Sequence, residues 1–532
     1  MSKDKKSIIL KKYASLSKKL KREVKMADLK GVEITKDMVT HHFGSLAAID
    51  EAARTEYPSN FFDISLESIY DEDRLEGVRE TLKSNKRFVI TTAVNGCKVD
   101  DVFYNSIKNY CKINDATLLV LVASDPAHSY SFGNKDWGTI DAKLKDENII
   151  LEDTRLNSNI FISTIKLAAK HIDPITGLGR IGQRNGTFIY ASPKQRLKAV
   201  AVSNDKLPHF LMTTGAITKP DYSTDLYFSQ RTSYIAKHDH VMGAIIVEVE
   251  DENVFHFRQI QADNKGHFAD LGILYSPNFT QSFAPEAFVL GDWHAGATDP
   301  QAKKCWEEVS HLVKPKSIIL HDLFDGRSIS HHEDKDQILK AQRASRDELC
   351  LEKELMLVAS DLEYLLKLSD ELVVVKSNHD LFLSRYLREG RYVKDPHNHY
   401  ISLKLAINLL DGKDPLECGI SNYLNESSKA KVKWLSMDED YKVAGVQLGA
   451  HGHAGSNGAK GSISSMEQAY GSCIFGHTHT PQILRSAWNT GTSSLLKMGY
   501  NSGASSWLHS SCLLYKNGNR QMINCINGKW KI

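Results

Sequence analysis

The chain has no CxxC pair among its eight cysteines, almost no net charge, and no apolar run near the roughly 18 residues a membrane span needs. Scattered thiols at Cys97, Cys111, Cys305, Cys350, Cys418, Cys473, Cys512 and Cys525 argue against a structural zinc ribbon and fit a reducing cytosol. The basic start lacks an apolar h-region, so neither secretion nor membrane insertion is expected and the expected location is cytoplasmic. A formal charge of +2 leaves any attraction to an acidic partner to local patches. What is present is ordinary for a soluble globular protein: 41% hydrophobic and 25% charged residues over 532 positions, enough for roughly two to four domains.

One such patch opens the chain. Lys3, Lys5, Lys6, Lys11, Lys12, Lys18, Lys19, Lys21, Arg22, Lys25 and Lys30 face only Asp4, Glu23 and Asp28. Ile8, Ile9, Leu10, Tyr13, Leu16 and Leu20 recur near helical spacing, which predicts an amphipathic helix with a cationic face. In the following GVEITKDMVTHHFGSLAAIDEAARTEYP, Thr35 is expected to cap a helix through His42, Gly44 to break it and Ser45 to cap another. Residues 1–60 thus read as a small helix-turn-helix unit able to contact DNA. This stretch resembles the helical repeat found beside homing endonucleases and other phage DNA-binding proteins. The same pattern would serve a helical cap or an oligomerisation arm with a solvated lysine face.

From Lys86 the pattern turns to α/β. RFVITTAV, a helix over 99–112 and ATLLVLVAS form one predicted βαβ unit. NIFIST, TFIYAS, AVAVS, HFLMTT, AIIVEVE, VFHFRQI and LGILY read as strands with few helices between them, an α+β domain over 61–284. GLGRIG (Gly177 to Gly182) matches GxGxxG only formally, because Asp173 and Pro174 precede it where a strand should stand; a loop or turn is expected. His238, Asp239 and His240 read as a solvated turn.

Residues 285–532 alternate strand and helix. EAFVLGD, KSIILHD, ELVVVKS, VAGVQLGAH and SCIFGH each run from an apolar strand into Asp, Asn or His. Functional groups in α/β folds gather beyond the carboxyl ends of strands, and carboxylate, amide and imidazole suit divalent metals. Between Glu333 and Ser369 a long charged, leucine-rich helical segment is expected, as a lid or a dimer surface.

The order Asp292–Trp293–His294, Asp322 to Asp325, Asn378–His379–Asp380, His451–Gly452–His453 and Gly476–His477–Thr478–His479 resembles the calcineurin-like metallophosphoesterase superfamily. His321 and Ser377 replace the glycines usual there. The resemblance, over 285–510, implies an α/β fold with a β-sandwich flanked by helices. It also implies two divalent ions, with manganese favoured and magnesium, iron or zinc admissible. One ion would take Asp292, His294 and His479, the other Asn378, His451 and His477, with Asp322 bridging. Such a pair, about 3.5–4 Å apart, lowers the pKa of a bridging water to give a hydroxide nucleophile. His379 would protonate the leaving oxygen or stabilise the transition state, with Asp380 orienting its ring. His453 is an alternative ligand or a substrate contact; Arg327 is a candidate phosphate clamp or a surface salt bridge, and His331 and His332 are candidates to line a groove. The GYNSG stretch at Gly499 to Gly503 has no ligand role.

The whole chain is also similar to the pre-early DNA-degradation nucleases of large tailed phages, relatives of the double-strand-break repair nucleases, in its arrangement of basic arm, α+β domain and late catalytic domain. That similarity implies a manganese-dependent DNase, phage-encoded and a homo-oligomer, that degrades host DNA in the bacterial cytoplasm. Competing readings are a small-molecule phosphatase or cyclic-nucleotide phosphodiesterase, and a DNA-binding scaffold with a structural metal site.

Overall fold

The computed structural model describes residues 2–20, 24–57, 60–123, 138–167, 171–203, 206–222, 230–333, 335–437, 439–499 and 501–532. Lys21, Arg22 and Glu23 of the arm and Tyr500 of GYNSG lie outside them. The architecture is mixed α/β, built on several sheets. Among the described residues no helix is long and apolar enough to cross a membrane.

The helix Ser2–Leu20 buries Ile9, Leu10, Tyr13, Ala14 and Leu16 against Val39, Ile49 and Ala53 of the helices Lys36–Phe43 and Leu46–Glu56. The expected caps are present: Thr35 accepts from Met38 N–H and Ser45 from Ala48 N–H. Ile8, counted with the apolar face, is exposed, as are Lys5, Lys6, Lys11, Lys18 and Lys19.

The predicted βαβ unit is present. Arg87–Val94 and Thr117–Ala123 pair in parallel, joined by the helix Asp101–Asn114, within a five-stranded sheet. Three other expectations fail. The stretch around GLGRIG carries a seven-residue helix, Gly179–Asn185, which starts after the positive φ of Gly177 and ends at that of Gly186. Asp239 is buried and ion-paired with the buried Lys194 at 3.1 Å, and His240 shares a 2.6 Å hydrogen bond with Tyr222, so only His238 is solvated. The long helix expected before Ser369 is two, Gln337–Ser345 and Leu351–Leu365. Asp347 between them has φ +61°, a left-handed conformation that no continuous helix admits.

Residue 284 does not separate two cores. One sheet of ten strands takes half its members from the middle region and half from beyond 440, joined where Gln482–Leu484 pairs antiparallel with Gln195–Val200. Facing it is a six-stranded sheet in which Ala287–Val289, Ser317–Leu320, Glu371–Val374 and Val432–Trp434 run parallel. Alternate side chains explain why these strands read as unbroken apolar runs. Ala287, Val289, Ile319 and Val373 face the core shared with the ten-stranded sheet, whereas Phe288, Ile318, Leu320 and Leu372 face the helices Pro300–Val313 and Leu351–Leu365. A strand buried on both faces has no polar side to alternate with.

Candidate metal centre

All five polar clusters lie just past the carboxyl ends of strands: Ala287–Val289, Ser317–Leu320, Glu371–Val374, Val446–Gln447 and Cys473–Phe475. The loops stay zipped beyond the strands. Trp293 and His294 N–H donate to the carbonyls of His321 and Asp322 at 3.0 and 2.8 Å, and Gly476 N–H donates to His451 C=O at 3.0 Å. Each chain must then turn sharply, and His294, Asp322, His477 and His479 take φ values of +48°, +45°, +75° and +56°. Left-handed backbone costs a non-glycine residue roughly 1–2 kcal/mol, and such strain clusters at functional sites. Gly476 is required on different grounds: a Cβ there would run into Asp292 Oδ1.

Asp292, His294, Asp322 and His479 bring one ligand atom each to within 4.8 Å of one another, and Asp322, His451 and His477 do the same. Asp322 belongs to both groups. His479 Nε2 lies 3.1 Å from Asp292 Oδ2, and His451 Nε2 lies 3.2 Å from Asp322 Oδ2 and 3.1 Å from Asn378 Oδ1. The Nε2 atoms of His294 and His479 face each other at 3.2 Å. Two buried carboxylate oxygens of these groups, Asp292 Oδ1 and Asp322 Oδ1, have no hydrogen-bond partner. Buried carboxylates without donors are costly, and a cation among them removes that cost. The donor set, imidazole and carboxylate with one amide oxygen, fits a divalent ion.

The electrostatics agree. Burial alone would lower the His294 imidazolium, but its hydrogen bond to Asp325 and the charges of Asp322, Asp325 and Asp292 push it up to about 9. The carboxylates thus draw a proton to a place where a metal would compete with it. Burial, then the charge of His451, pulls both His321 and His477 down to about 4, so both are neutral rings.

His379 is half-buried, its ring 4.7 Å from that of His294, and its Nδ1 lies 2.7 Å from the carbonyl oxygen of Asp325. A carbonyl only accepts, so Nδ1 carries the hydrogen and Nε2 is the atom available for proton transfer. The role expected of Asp380 is not met. Asp380 Oδ2 accepts from Ser377 N–H at 2.9 Å while Asp380 N–H donates to Ser377 Oγ, so the pair closes the turn that presents Asn378. Serine in place of glycine supplies that second bond. Arg327 is a half-buried partner of Asp325, Nε to Oδ2 2.9 Å. A third group, His294, Asp325 and His379, could also hold an ion, and His453 stands outside all three, its ring 5.6 Å from that of His451.

Several contributors are not evident from the sequence. Asp325 Oδ1 holds His294 Nδ1 at 3.0 Å, fixing which nitrogen faces the cluster; its place as the last residue of HDLFD is the only signal of it in the sequence. His321 Nδ1 lies 3.4 Å from His451 Nδ1, a role that replacement of a glycine does not by itself suggest. Glu354 accepts the backbone N–H groups of Arg327 and Ser328 at 3.0 and 3.1 Å, and Trp507 packs its ring 4.1 Å from that of His479. Neither has a local signal, since each meets the site only through the fold.

The site is therefore a buried Asp/His cluster of the kind that can hold a metal ion. The chain is similar to Protein A1 of Escherichia phage T5, 28% identical over 475 residues that cover 84% of this chain and 83% of that protein. The likeness to a phage protein thus takes in most of the molecule. No family model matches the chain, and no solved structure matches it.

Proposed function

We propose that the protein is a metal-dependent nuclease of the metallophosphoesterase type, phage-encoded, that hydrolyses DNA phosphodiester bonds at a two-metal site. The observation that carries this reading is the sharing of Asp322 between two ligand groups, with one oxygen of Asp322 and one of Asp292 left without donors. Asp292, His294, Asp322 and His479 would hold one ion, and Asp322, Asn378, His451 and His477 the other, with manganese as the favoured metal. Such ions supply Lewis acidity toward the phosphate and an activated water. The chain's own residues do the rest. Asp325 fixes the His294 tautomer, Ser377 and Asp380 hold the turn that presents Asn378, and His379 offers Nε2 to the leaving oxygen.

DNA as substrate is supported by the exposed lysines of the helix Ser2–Leu20, which would neutralise backbone phosphates, and by likeness to a phage protein over most of the chain. Homo-oligomer formation has one feature in its favour. Tyr400, Leu403, Ile407 and Leu410 are exposed at the 3-4-3 spacing of a helix-pairing seam on the helix His399–Leu410. Leu403→Glu with Leu410→Glu should shift sedimentation to a smaller species, and an unchanged species removes that role for the helix.

The decisive assay compares plasmid DNA, a nucleotide monoester and a bis-aryl phosphodiester with added manganese. Metal-dependent DNA cleavage is expected. Hydrolysis confined to the small esters would instead establish a phosphatase or cyclic-nucleotide phosphodiesterase, and binding of DNA with no hydrolysis a scaffold.

A further inference from the structure

A cavity of ≈ 730 Å³, with none of the proposed ligands on its wall, is bounded by the turn Arg327–Ile329, the helix Gln337–Ser345 and the segment carrying Tyr386, Arg391 and Lys394. Arg327 ties it to the chemistry: the side chain on its wall also binds Asp325, which in turn holds His294. The volume exceeds what a lone phosphate requires and falls in the range of about 300–1,000 Å³ that encloses an organic ligand. Lys340, Arg391 and Lys394 add positive charge. The acids of the wall are turned to other groups: Glu333 to Arg343 at 2.5 Å, Asp347 to Lys353, and Asp395 to Tyr386 Oη and Asn398, both at 2.8 Å.

One feature of the wall and one beside it suit a nucleotide rather than a simple anion. Arg391 lies over the Tyr386 ring at 5.3 Å, which pre-orients its guanidinium. Rings also lead from the cluster toward the wall at Ser330: His379 to Phe382 at 4.7 Å, Phe382 to His331 at 5.0 Å, and His331 to His332 at 3.8 Å. Aromatic faces beside cations are how single strands are held without sequence preference.

We propose that this cavity is a subsite for the nucleic-acid strand flanking the scissile phosphate, with Arg391 and Lys394 on backbone phosphates and the His331–His332–Phe382 rings, which stand beside the cavity rather than on its wall, against a base. The proposal rests on the nuclease reading above. The test uses the full chain with manganese, a labelled single-stranded oligonucleotide and a bis-aryl phosphodiester too small to reach the cavity. The double variant Arg391→Gln with Lys394→Gln should raise KM for the oligonucleotide about tenfold and flatten the salt dependence of binding by about 0.7 in log–log slope for each phosphate no longer neutralised. Turnover of the small ester should stay at the wild-type value. Lys394→Gln alone, on an exposed side chain, should show the smaller slope change without risk to the fold. Wild-type KM and slope in both variants would overturn the proposal, and so would equal losses on both substrates. A wild-type protein that hydrolyses only the small ester removes the nuclease reading and this subsite with it, an outcome distinct from a nuclease indifferent to both variants.

Discussion

Two buried ionic clusters, one in the middle region and one beyond residue 285, show how differently one protein can arrange buried charge. In the first, Arg258 binds Asp270 Oδ1 at 2.9 Å and Glu248 Oε1 at 3.1 Å. Tyr110 Oη, Gln521 Nε2 and the Ile532 N–H serve those same carboxylates. Every carboxylate oxygen there has a donor. In the second, Asp292 Oδ1 and Asp322 Oδ1 have none, and imidazole nitrogens face each other. In the first cluster the protein alone satisfies the carboxylates, while Arg258 Nη1 is left without a hydrogen-bond partner. The second could hold a cation that satisfies those oxygens, and that difference separates it from a salt bridge of similar burial.

The sharpest break in this comparison is to remove one charge from each cluster. Asp322→Asn should abolish metal-dependent hydrolysis and bound metal together, while the metal-free protein melts close to wild type, because the carboxylate oxygen lost there has no donor to strand. Arg258→Leu should do the reverse. It strands two buried carboxylates and should lower stability by about 3–5 kcal/mol in denaturant titration, with normal metal content in whatever folds. If both variants lose only stability, the Asp322 cluster is structural and the comparison fails.

His379→Ala should lower kcat by about 10²–10⁴ with metal content intact, as expected for loss of a group that transfers a proton. Unchanged turnover would eliminate that role. Asp325→Ala acts one bond further out and should weaken metal affinity by about 10–100-fold, read by titration of the metal-free protein, through loss of the His294 tautomer.

The smallest effect is on pH dependence. Burial, reinforced by the charge of Asp325, pushes the Glu354 carboxyl up to about 7. Its folded value therefore lies above that of the unfolded chain, so its contribution to stability is full below pH ~4.5 and is lost as the pH rises through ~7. Glu354→Gln should flatten the melting profile across that window; a slope equal to wild type would show that Glu354 does not set it.

The clustered Asp, Asn and His residues were legible one by one because each follows a largely apolar strand, where a polar residue has little packing reason to exist. Thr35 and Ser45 were legible for a similar reason, since a cap bonds only three residues ahead. Asp380 misled because sequence adjacency to His379 says nothing of direction: both of its bonds go to Ser377, and the His379 ring is held by Asp325 from another strand's loop. Asp239 misled likewise, its partner Lys194 lying far back in the chain.

From the sequence alone came the candidate ligand types, their order and their place at strand ends, all set by chemistry within a few residues. Tertiary structure alone decided that Asp322 serves two groups, that two of their carboxylate oxygens lack donors, and that strands of the middle region complete a sheet with those beyond residue 440. These depend on strands distant in sequence converging at one edge, and on backbone turns of positive φ at His294, Asp322, His477 and His479 that no side-chain pattern specifies.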